Sequence, residues 1–383
     1  MTNYRMGADS SLQVAKVEPL APKKPGLEGL NSLRGIAAVL IVIFHVLGIH
    51  GLKIPPQLSF VPAYFGLGVP LFFVISAFSL FLSTTSRVGK EGWLSSYAIR
   101  RFMRIAPLFY FAATFYLIYI PLQFGSYIAP LSYLGTISLL FNLMPGQHES
   151  MVWAGWTIGV EVLFYILVPY LLIFIRNIYI SIIAVFAAIA LSVVFYKFYL
   201  GSNYPAGYAY MSFMGSIGVF FFGVFGYFLY SVLKGREYVR GIGYMLLCVA
   251  IVLTYGLVAK EQALVSIVGN RSNLWALIFV MFVVSQCLAP VFAITNPLFS
   301  YLGRLSFGLY LCHPPLVYVL KPVYSYFYQY LDDGFAFTCS ATITLLILVP
   351  IARLMNFLIE EPGIRLGEKL IRRKVGRDFL TFH

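Results

Sequence analysis

Long apolar runs, separated by short polar segments, recur along this chain from residue 30 onward. A transmembrane helix needs about 20 consecutive apolar residues, because all of its backbone hydrogen bonds must be satisfied within the helix. Ten runs are long enough, so we predict an all-α integral membrane protein built as a bundle of about ten transmembrane helices. The predicted spans are 30–52, 60–84, 105–123, 155–175, 177–199, 210–233, 240–259, 272–294, 305–328 and 336–358.

An eleventh apolar run, residues 131–144 (LSYLGTISLLFNLM), is too short to cross a bilayer, and we predict a short re-entrant or interfacial helix there. Charge decides between ten and eleven spans, because Lys and Arg collect at cytoplasmic helix ends. With ten spans and a cytoplasmic N-terminus, 22 of the 27 Lys and Arg residues lie on the inner side. The other five are Lys53, Lys197, Lys260, Arg271 and Lys321. We therefore predict that both termini are cytoplasmic.

The polar segments at the two ends of the chain are predicted to be cytoplasmic tails. Residues 1–29 contain Pro and Lys without an apolar stretch, and we expect a disordered tail there. Residues 30–359 form the predicted transmembrane domain, and residues 360–383 form a basic C-terminal tail. The sequence contains no evident internal repeat or soluble catalytic domain, so any chemistry must take place within the helix bundle or at its mouths.

Composition agrees with the membrane class, since 60% of the 383 residues are hydrophobic and 11% are charged, with a mean hydropathy of +0.84. Soluble proteins carry about 25% charged residues. The net charge of +13 would suit nucleic acid, anionic lipid or an anionic substrate, and in a membrane protein topology is the first explanation to test. The four cysteines lie in apolar runs without CxxC spacing or a histidine cluster, so we predict neither a disulfide nor a metal site.

The first predicted span carries two ionisable residues on one helix face. Arg34 and His45 are eleven residues apart, which on an α-helix is about three turns plus 20°, with a rise of about 16 Å. Arg34 would lie near the cytoplasmic edge of the bilayer and His45 near its middle, where ionisable groups usually mark a pathway or a reaction centre. We interpret His45 as a general base. The alternative is a histidine that hydrogen-bonds to a neighbouring helix and contributes packing alone.

Charged residues in two other segments are further candidates. Arg101 and Arg104, in RRFMRIAP, share a helix face and could bind phosphate groups, although the positive-inside rule alone would also place them there. Glu161 is the only acid within a predicted span, and the nearest partners by depth are His45 and His313. We expect Glu161 to act in or beside the site; a structural hydrogen bond to a facing helix is the alternative.

The segment 303–315, GRLSFGLYLCHPP, combines polar residues with helix-breaking ones. Ser306 and His313 are seven residues apart and share a helix face. We expect Pro314 and Pro315 to break the helix and to free backbone carbonyls. The segment therefore either lines a cavity, or His313 does no more than satisfy those carbonyls. The remaining histidines are predicted to be solvated rather than functional; they are His50, His148 and His383.

Six motifs, taken together, resemble the membrane-bound acyltransferase type 3 family of bacterial O-acyltransferases. They are LNSLRGIAAVLIVIFH, PLFFVISAF, RRFMR, WTIGVEVLFYILVP, GRLS followed by FGLYLCHPPL, and EEPGIRLG. The resemblance covers residues 30–367. Three positions depart from the family pattern. Asn31 stands where Asp is common, Ala77 stands where Gly is usual, and Val162 stands where a second acid often follows Glu161.

The resemblance implies a fold and an activity. Members of this family have ten core helices with both ends cytoplasmic, and they transfer an acyl group from cytoplasmic acyl-CoA to a hydroxyl of an extracytoplasmic or lipid-linked glycan. The chain would then be a multi-pass protein of the bacterial inner membrane that O-acetylates an exopolysaccharide or lipopolysaccharide, acetyl being the default acyl group. Matched to this sequence, the family's site residues are Arg34, His45, Arg101, Arg104, Gly303 and Ser306.

Combined with the residue pattern, the resemblance suggests a mechanism. CoA phosphates would bind the inner arginines, and His45 would deprotonate the acceptor hydroxyl or carry the acyl group briefly. Glu161 is a further catalytic candidate, and Gly303, Ser306 and His313 would line the site. Acyl-CoA is then a co-substrate, the other partners are the glycan and the bilayer, and no nucleic acid, metal or resident cofactor is expected. The alternative function is a proton-coupled transporter of a glycan precursor or small anion.

Overall fold

A computed structural model describes residues 25–200, 207–268 and 270–375. Within these ranges the chain forms α-helices joined by short turns and contains no strand, which confirms the predicted all-α class. The helices, in order, are α1 Pro25–His50, α2 Phe60–Tyr64, α3 Gly68–Thr84, α4 Trp93–Phe124, α5 Pro130–Ser138, α6 Trp156–Phe174, α7 Ile178–Leu200, α8 Tyr208–Met211, α9 Phe213–Leu233, α10 Val239–Val268, α11 Arg271–Leu288, α12 Pro297–Arg304, α13 Ser306–Val319, α14 Lys321–Tyr330, α15 Asp333–Met355 and α16 Glu361–Val375.

In the described part of the chain, nine helical segments are long and apolar enough to cross a membrane. They are Glu28–His50, Pro56–Arg87, Trp93–Phe124, Trp156–Phe174, Ile178–Tyr199, Tyr208–Leu233, Val239–Val265, Arg271–Leu288 and Asp333–Lys374. Each of them overlaps one of the predicted spans. The chain is therefore a multi-pass membrane protein, and the orientation of its termini stays a prediction.

The ninth predicted span, 305–328, is not among these nine segments and is not one continuous helix. It contains α13 and α14, which meet at Leu320, and Pro322 occupies the first turn of α14. The prediction that Pro314 and Pro315 break the helix is wrong, because both lie inside α13. Pro314 has no N–H for the carbonyl of Tyr310, four residues earlier, and the Nδ1 of His313 lies 2.6 Å from that oxygen. This hydrogen bond compensates for the missing backbone donor, so α13 continues past the prolines.

The short apolar run at 131–144 forms α5 and a 3₁₀ turn, Phe141–Leu143. The ring of Phe141 is fully buried and stacks on Phe109 of α4, with 6.2 Å between ring centroids. Gly159 of α6 also contacts this ring, since an added Cβ there would meet it closely. The segment is thus attached to α4 and α6 rather than continuing as a span, and its re-entrant or interfacial placement stays a prediction.

The first helix, α1, begins at Pro25, and residues 1–24 of the predicted N-terminal tail lie outside the described residues. It packs against α3, α11, α12, α13 and α15, which makes it the central helix of the bundle. Its closest neighbour is α12. An added Cβ at Gly35 would overlap the Phe299 carbonyl, and one at Gly303 would overlap the Asn31 carbonyl. Backbone thus meets backbone along this contact, which positions Arg34 of α1 beside the junction of α12 and α13.

Two helices lie at the edge of the bundle. In the apolar windows of Ile178–Tyr199 and Val239–Val265, 22% and 17% of the residues are buried, against 67% for Pro56–Arg87. Their exposed faces carry large apolar side chains such as Phe186 and Val252. These faces suit contact with lipid, whereas the helices around α1 supply the interior.

The chain continues from α15 into α16 through a π-helical turn, Asn356–Glu360. Helix α16 packs along the start of α4, where Gly363 and Gly367 contact Pro107 and Met103. Arg100 of α4 pairs with Glu368 of α16 at 2.9 Å. Part of the segment predicted as a basic tail is thus a helix docked on the bundle, and residues 376–383 lie outside the described part.

The contact between α1 and α12 predicts opposite effects for two Gly→Ala substitutions. Gly35→Ala should lower the melting temperature by several degrees, because the new methyl overlaps the Phe299 carbonyl and overpacking costs about 1–3 kcal/mol. Gly256→Ala is the matched control, since a Cβ on that exposed helical glycine meets nothing within 4 Å and Ala favours helix. Fluorescence-detected size exclusion after heating measures both; equal melting temperatures for the two variants would contradict the close contact.

Candidate active site

A cavity of about 700 Å³ lies between α1, α3, α4, α6, the α12–α13 junction and the end of α15. Six of the eight predicted site residues line it, namely Arg34, Arg101, Arg104, Glu161, Gly303 and Ser306. The two histidines, His45 and His313, lie outside its lining. The structure thus brings together side chains that are up to 272 positions apart in the sequence, and it places the predicted base beside the cavity rather than in it.

The lining of the cavity carries an excess of positive charge. Five guanidinium groups face two carboxylates; they are Arg34, Arg101, Arg104, Arg304 and Arg353 against Glu161 and Glu361. Sequence reasoning did not select Arg304 or Arg353 as site residues, although Arg304 lies within the GRLS motif. Clustered guanidinium groups recognise phosphate and carboxylate oxygens, so the cavity is suited to a polyanion.

Arg34 is held by neutral partners. Its Nη2 donates to the Ser79 hydroxyl at 2.9 Å, and its Nη1 donates to the Asn31 side chain at 3.5 Å. Ser79 in turn donates to the Ile75 carbonyl at 2.6 Å, which fixes the hydroxyl as an acceptor for Arg34. Among the described residues no carboxylate pairs directly with Arg34. Its charge therefore remains available to a ligand.

The two arginines of the Arg-x-x-Arg motif are held differently. Arg101 lies between the rings of Tyr97 and Tyr165, at 5.9 and 5.8 Å, and its buried Nε has no hydrogen-bond partner in the described residues. Arg104 pairs at 2.6 Å with Glu360, whose side chain is fully buried in the π-helical turn. Arg104 is thus occupied by an ion pair, whereas the buried Nε–H of Arg101 can donate to a ligand.

Glu161 has a serine as its partner rather than a histidine. Its carboxylate accepts a hydrogen bond from the Ser76 hydroxyl of α3, and it faces the cavity. The expectation that His45 or His313 would be its nearest partner is wrong, because the face of α6 that carries Glu161 turns toward α3. The Ser76 contact could not be read from the sequence, in which serine within an apolar run gives no specific signal.

The two residues of the Gly-x-x-Ser motif have separate structural roles. Gly303 allows the close approach of α12 to α1, where its Cα lies against the Asn31 carbonyl. Ser306, the first residue of α13, is buried and lines the cavity. The glycine therefore sets the position of the wall, and the serine presents a hydroxyl from it.

The two intramembrane histidines form a pair. The ring centroids of His45 and His313 are 4.8 Å apart, and each Nδ1 lies within hydrogen-bond distance of a backbone carbonyl, Ile41 at 2.9 Å and Tyr310 at 2.6 Å. The interpretation that His313 satisfies a carbonyl freed by proline is thus correct for its Nδ1. Its Nε2 is buried and has no partner among the described residues.

Tyr310 connects the histidine pair to the cavity. It lines the cavity, and its ring lies 5.6 Å from that of His313. Its hydroxyl bonds with the Thr157 hydroxyl at 2.9 Å and donates to the Ala154 carbonyl at 3.0 Å. Sequence reasoning missed this residue, although its position three residues before His313 on one helix was visible.

The other histidines differ from their predicted solvated state. His50 is half-buried, and its Nε2 lies 3.0 Å from the Val317 carbonyl. His148 is buried against Tyr208 and accepts a hydrogen bond from the Gly146 amide. Burial lowers the pKa of His148, and Glu149 opposes that shift. His383 lies outside the described residues. His50 and His148 thus hydrogen-bond to the backbone and pack against neighbouring residues, which supports a structural role for them.

The apolar helices and the arginine-rich cavity define a multi-pass membrane protein with an internal polar site. A family model described as "Acyltransferase domain" matches residues 27–353, and the chain therefore belongs to the acyltransferase type 3 family. No curated protein and no solved structure matches the chain. The matched range contains all eight residues selected from the sequence and ends before the π-helical turn that carries Glu360.

The hydrogen bonds of Tyr310 predict a stability effect. Tyr310→Phe keeps the ring but leaves the Ala154 carbonyl and the Thr157 hydroxyl without this partner, which should cost about 1–2 kcal/mol. A thiol-reactive dye reports unfolding as the buried Cys287 thiol, which is in no disulfide, becomes accessible, and the midpoint should fall by a few degrees. Tyr255→Phe is the control, because that ring is 81% exposed. Matching midpoints for the two variants would show that these bonds contribute no stability.

Proposed function

We propose that this protein is a membrane O-acyltransferase that moves an acyl group, acetyl by default, from cytoplasmic acyl-CoA to a hydroxyl of an extracytoplasmic or lipid-linked polysaccharide. Family membership supports the acyltransferase class. The observation that carries the rest is a cavity lined by five guanidinium groups, one wall of which is Tyr310, whose ring contacts the His45–His313 pair. A polyanionic donor and a base-assisted transfer are the two functions that such an arrangement serves best.

The cationic lining supports acyl-CoA as the donor, because CoA carries several phosphate charges at one end and a thioester at the other. Arg101 has an unused buried Nε–H, and Arg34 has neutral partners, so both can bind phosphate without first breaking an ion pair. Arg104 would bind in competition with Glu360 or together with it. Charge-assisted hydrogen bonds of this kind contribute about 1.5–3 kcal/mol each.

The length of α1 fits the length of the donor. From Arg34 to His45 the helix rises about 16 Å. The thioester of an extended CoA molecule lies on the order of 15–20 Å from its phosphates. A donor anchored by phosphates near Arg34 would therefore present its thioester at the depth of Tyr310 and the histidine pair. Ser306 offers a hydroxyl to the arm from the wall between them.

His45 is suited to act as the base. Its Nδ1 donates to the Ile41 carbonyl, since a carbonyl can only accept, and the neutral ring then has its lone pair on Nε2. That nitrogen would take the proton of the acceptor hydroxyl as the oxygen attacks the thioester carbonyl carbon. The carbon–sulfur bond breaks, and the CoA thiolate leaves and takes up the proton. The Glu161 carboxylate accepts a hydrogen bond from Ser76 and lines the cavity, so we assign it to the cavity wall near the donor arm rather than to this step.

Tyr310 lies between the donor cavity and the histidine pair, so its ring must move, or the thioester must pass beside it, before transfer. Its two hydroxyl hydrogen bonds hold the ring in place. This position makes Tyr310 the side chain that separates a bound donor from the base. Such a barrier would protect the thioester from water until an acceptor is bound.

The proposed donor site predicts selective losses of CoA affinity. Arg101→Ala and Arg104→Ala should each weaken CoA binding about tenfold, because each removes a charge-assisted contact. Arg100→Ala is the matched control, since Arg100 lies on the same helix, pairs with Glu368 and does not line the cavity. Isothermal titration of the purified protein with CoA measures the affinities. A loss of the same size in Arg100→Ala would indicate a general charge effect and remove the support for a specific site.

The proposed base predicts a separation of binding from transfer. His45→Ala should abolish ester formation and leave CoA affinity within about twofold of wild type, because His45 does not line the donor cavity. The assay follows release of free CoA thiol and transfer of label from acetyl-CoA to surface glycan in membranes. A proton-coupled transporter, the alternative function, would release no CoA. Unchanged transfer by His45→Ala at normal protein levels would show that His45 is not the base.

A further inference from the structure

The two histidines present an unusual set of hydrogen-bonding groups. In each ring Nδ1 lies against a backbone carbonyl, which can only accept, so Nδ1 carries the hydrogen in both neutral rings. The Nε2 atoms of His45 and His313 are then both bare acceptors. Neither has a hydrogen-bond partner in the described part of the chain. Two acceptors in contacting rings cannot hydrogen-bond to each other.

The two other aromatic rings that contact the pair supply no hydrogen-bond donor to it. The ring of Phe44 meets His45 edge-on at 5.2 Å, and the ring of Tyr310 meets His313 at 5.6 Å with its hydroxyl directed to Ala154 and Thr157. His313 has no exposed surface. A buried acceptor without a partner is costly, so the pair is suited to a ligand that brings two hydrogen-bond donors. The lone pairs on the two Nε2 atoms would repel the oxygens of a carboxylate or a phosphate, so such an anion is a poor ligand for the neutral pair.

Exposed helix surface lies next to His45 at the end of α1 remote from Arg34. Gly48, three residues after His45, shares its side of the helix, is exposed, and would have nothing within 4 Å of an added Cβ. His45 itself is partly exposed, unlike His313. A ligand can therefore approach His45 past Gly48 without entering the arginine-lined cavity.

From these observations, and resting on the transferase function proposed above, we propose that the His45–His313 pair is the acceptor subsite and that it binds a vicinal diol. The hydroxyl that reacts donates to Nε2 of His45, and the neighbouring hydroxyl donates to Nε2 of His313. His313 is thus a second substrate-binding residue of the reaction, and the acceptor class is narrowed to polyols with two adjacent free hydroxyls.

The transfer step balances with this arrangement. The O–H bond of the first hydroxyl breaks, its proton moves to Nε2 of His45, and its oxygen forms the ester bond with the acyl carbon. The carbon–sulfur bond breaks, and the thiolate of CoA receives the proton from His45. The second hydroxyl keeps its hydrogen and its bond to His313 throughout, so it orients the diol without being consumed.

Simple alcohols test the proposal with the full-length wild-type protein in lipid nanodiscs and labelled acetyl-CoA. The probes are cis- and trans-cyclohexane-1,2-diol and their monomethyl ethers, which keep the reacting hydroxyl but cannot donate from the neighbouring oxygen. At least one diol should be acetylated with a kcat/KM on the order of tenfold above that of its ether. Equal values for every diol and its ether would overturn the proposal and leave the transferase function standing. Transfer to glycan but to no alcohol would overturn the diol proposal alone, and transfer to neither glycan nor alcohol would overturn both.

Substitutions of His313 separate its role from a structural one. His313→Ala should lower the ratio of the diol kcat/KM to the ether kcat/KM to about one, because only the diol donates to Nε2 of His313. His313→Gln, which restores an acceptor oxygen, should recover part of the preference. A diol preference retained by His313→Ala would exclude the proposed contact. The comparison of diol with ether on one protein sample is unaffected by a lower amount of folded variant.

The exposed surface beside Gly48 gives an independent test of the proposed approach to His45. Gly48→Phe should raise the KM for the diol several-fold and leave CoA affinity unchanged, because the ring would cover the approach to His45. Gly256→Phe is the matched control, since Gly256 is also an exposed helical glycine with open space around it and lies on a peripheral helix. A diol KM for Gly48→Phe equal to that of the control would overturn the proposed approach route.

Discussion

The structure depends on the close contact between α1 and α12, where backbone lies against backbone. Gly35 and Gly303 make this possible, because any side chain at either position would overlap the Phe299 or the Asn31 carbonyl. Helix α1 carries both Arg34 and His45, so its position fixes one residue at the cavity and the other at the histidine pair. In a bilayer no hydrophobic force distinguishes lipid from a neighbouring helix, and close packing of small residues supplies the association instead.

A second constraint follows from the prolines of α13. Two consecutive residues without N–H would leave carbonyls unsatisfied inside the membrane. His313 satisfies the Tyr310 carbonyl with Nδ1, and this contact orients its ring so that Nε2 faces away from its own backbone. The hydrogen bond that satisfies the Tyr310 carbonyl therefore also sets the position of the Nε2 acceptor of His313. Tyr310, on the preceding turn, ties this region to the cavity through α6.

Much of this arrangement was predictable from the sequence, for identifiable reasons. Apolar periodicity and length defined the helices, and the spacing of Arg34 and His45 predicted that both lie along one helix because helix geometry is regular. The contact between His45 and His313, the Ser76–Glu161 bond and the position of Tyr310 were not predictable. They depend on how α1, α3, α6 and α13 rotate against each other, which local pattern does not determine. Arg304 and Arg353 were counted as positive-inside charges, and only the tertiary structure shows that they face the cavity.

The π-helical turn at Asn356–Glu360 has a consequence for how the chain tolerates change in length. Such a turn holds one residue more than an α-helical turn, and each residue of an α-helix corresponds to a rotation of about 100°. Deleting one residue here would restore a regular helix and rotate all of α16 by that angle. Gly363, Gly367 and Glu368 would then leave α4 together. A single extra residue in this turn therefore sets the rotation of α16 about its own axis. It also sets the direction in which the basic face of α16 points.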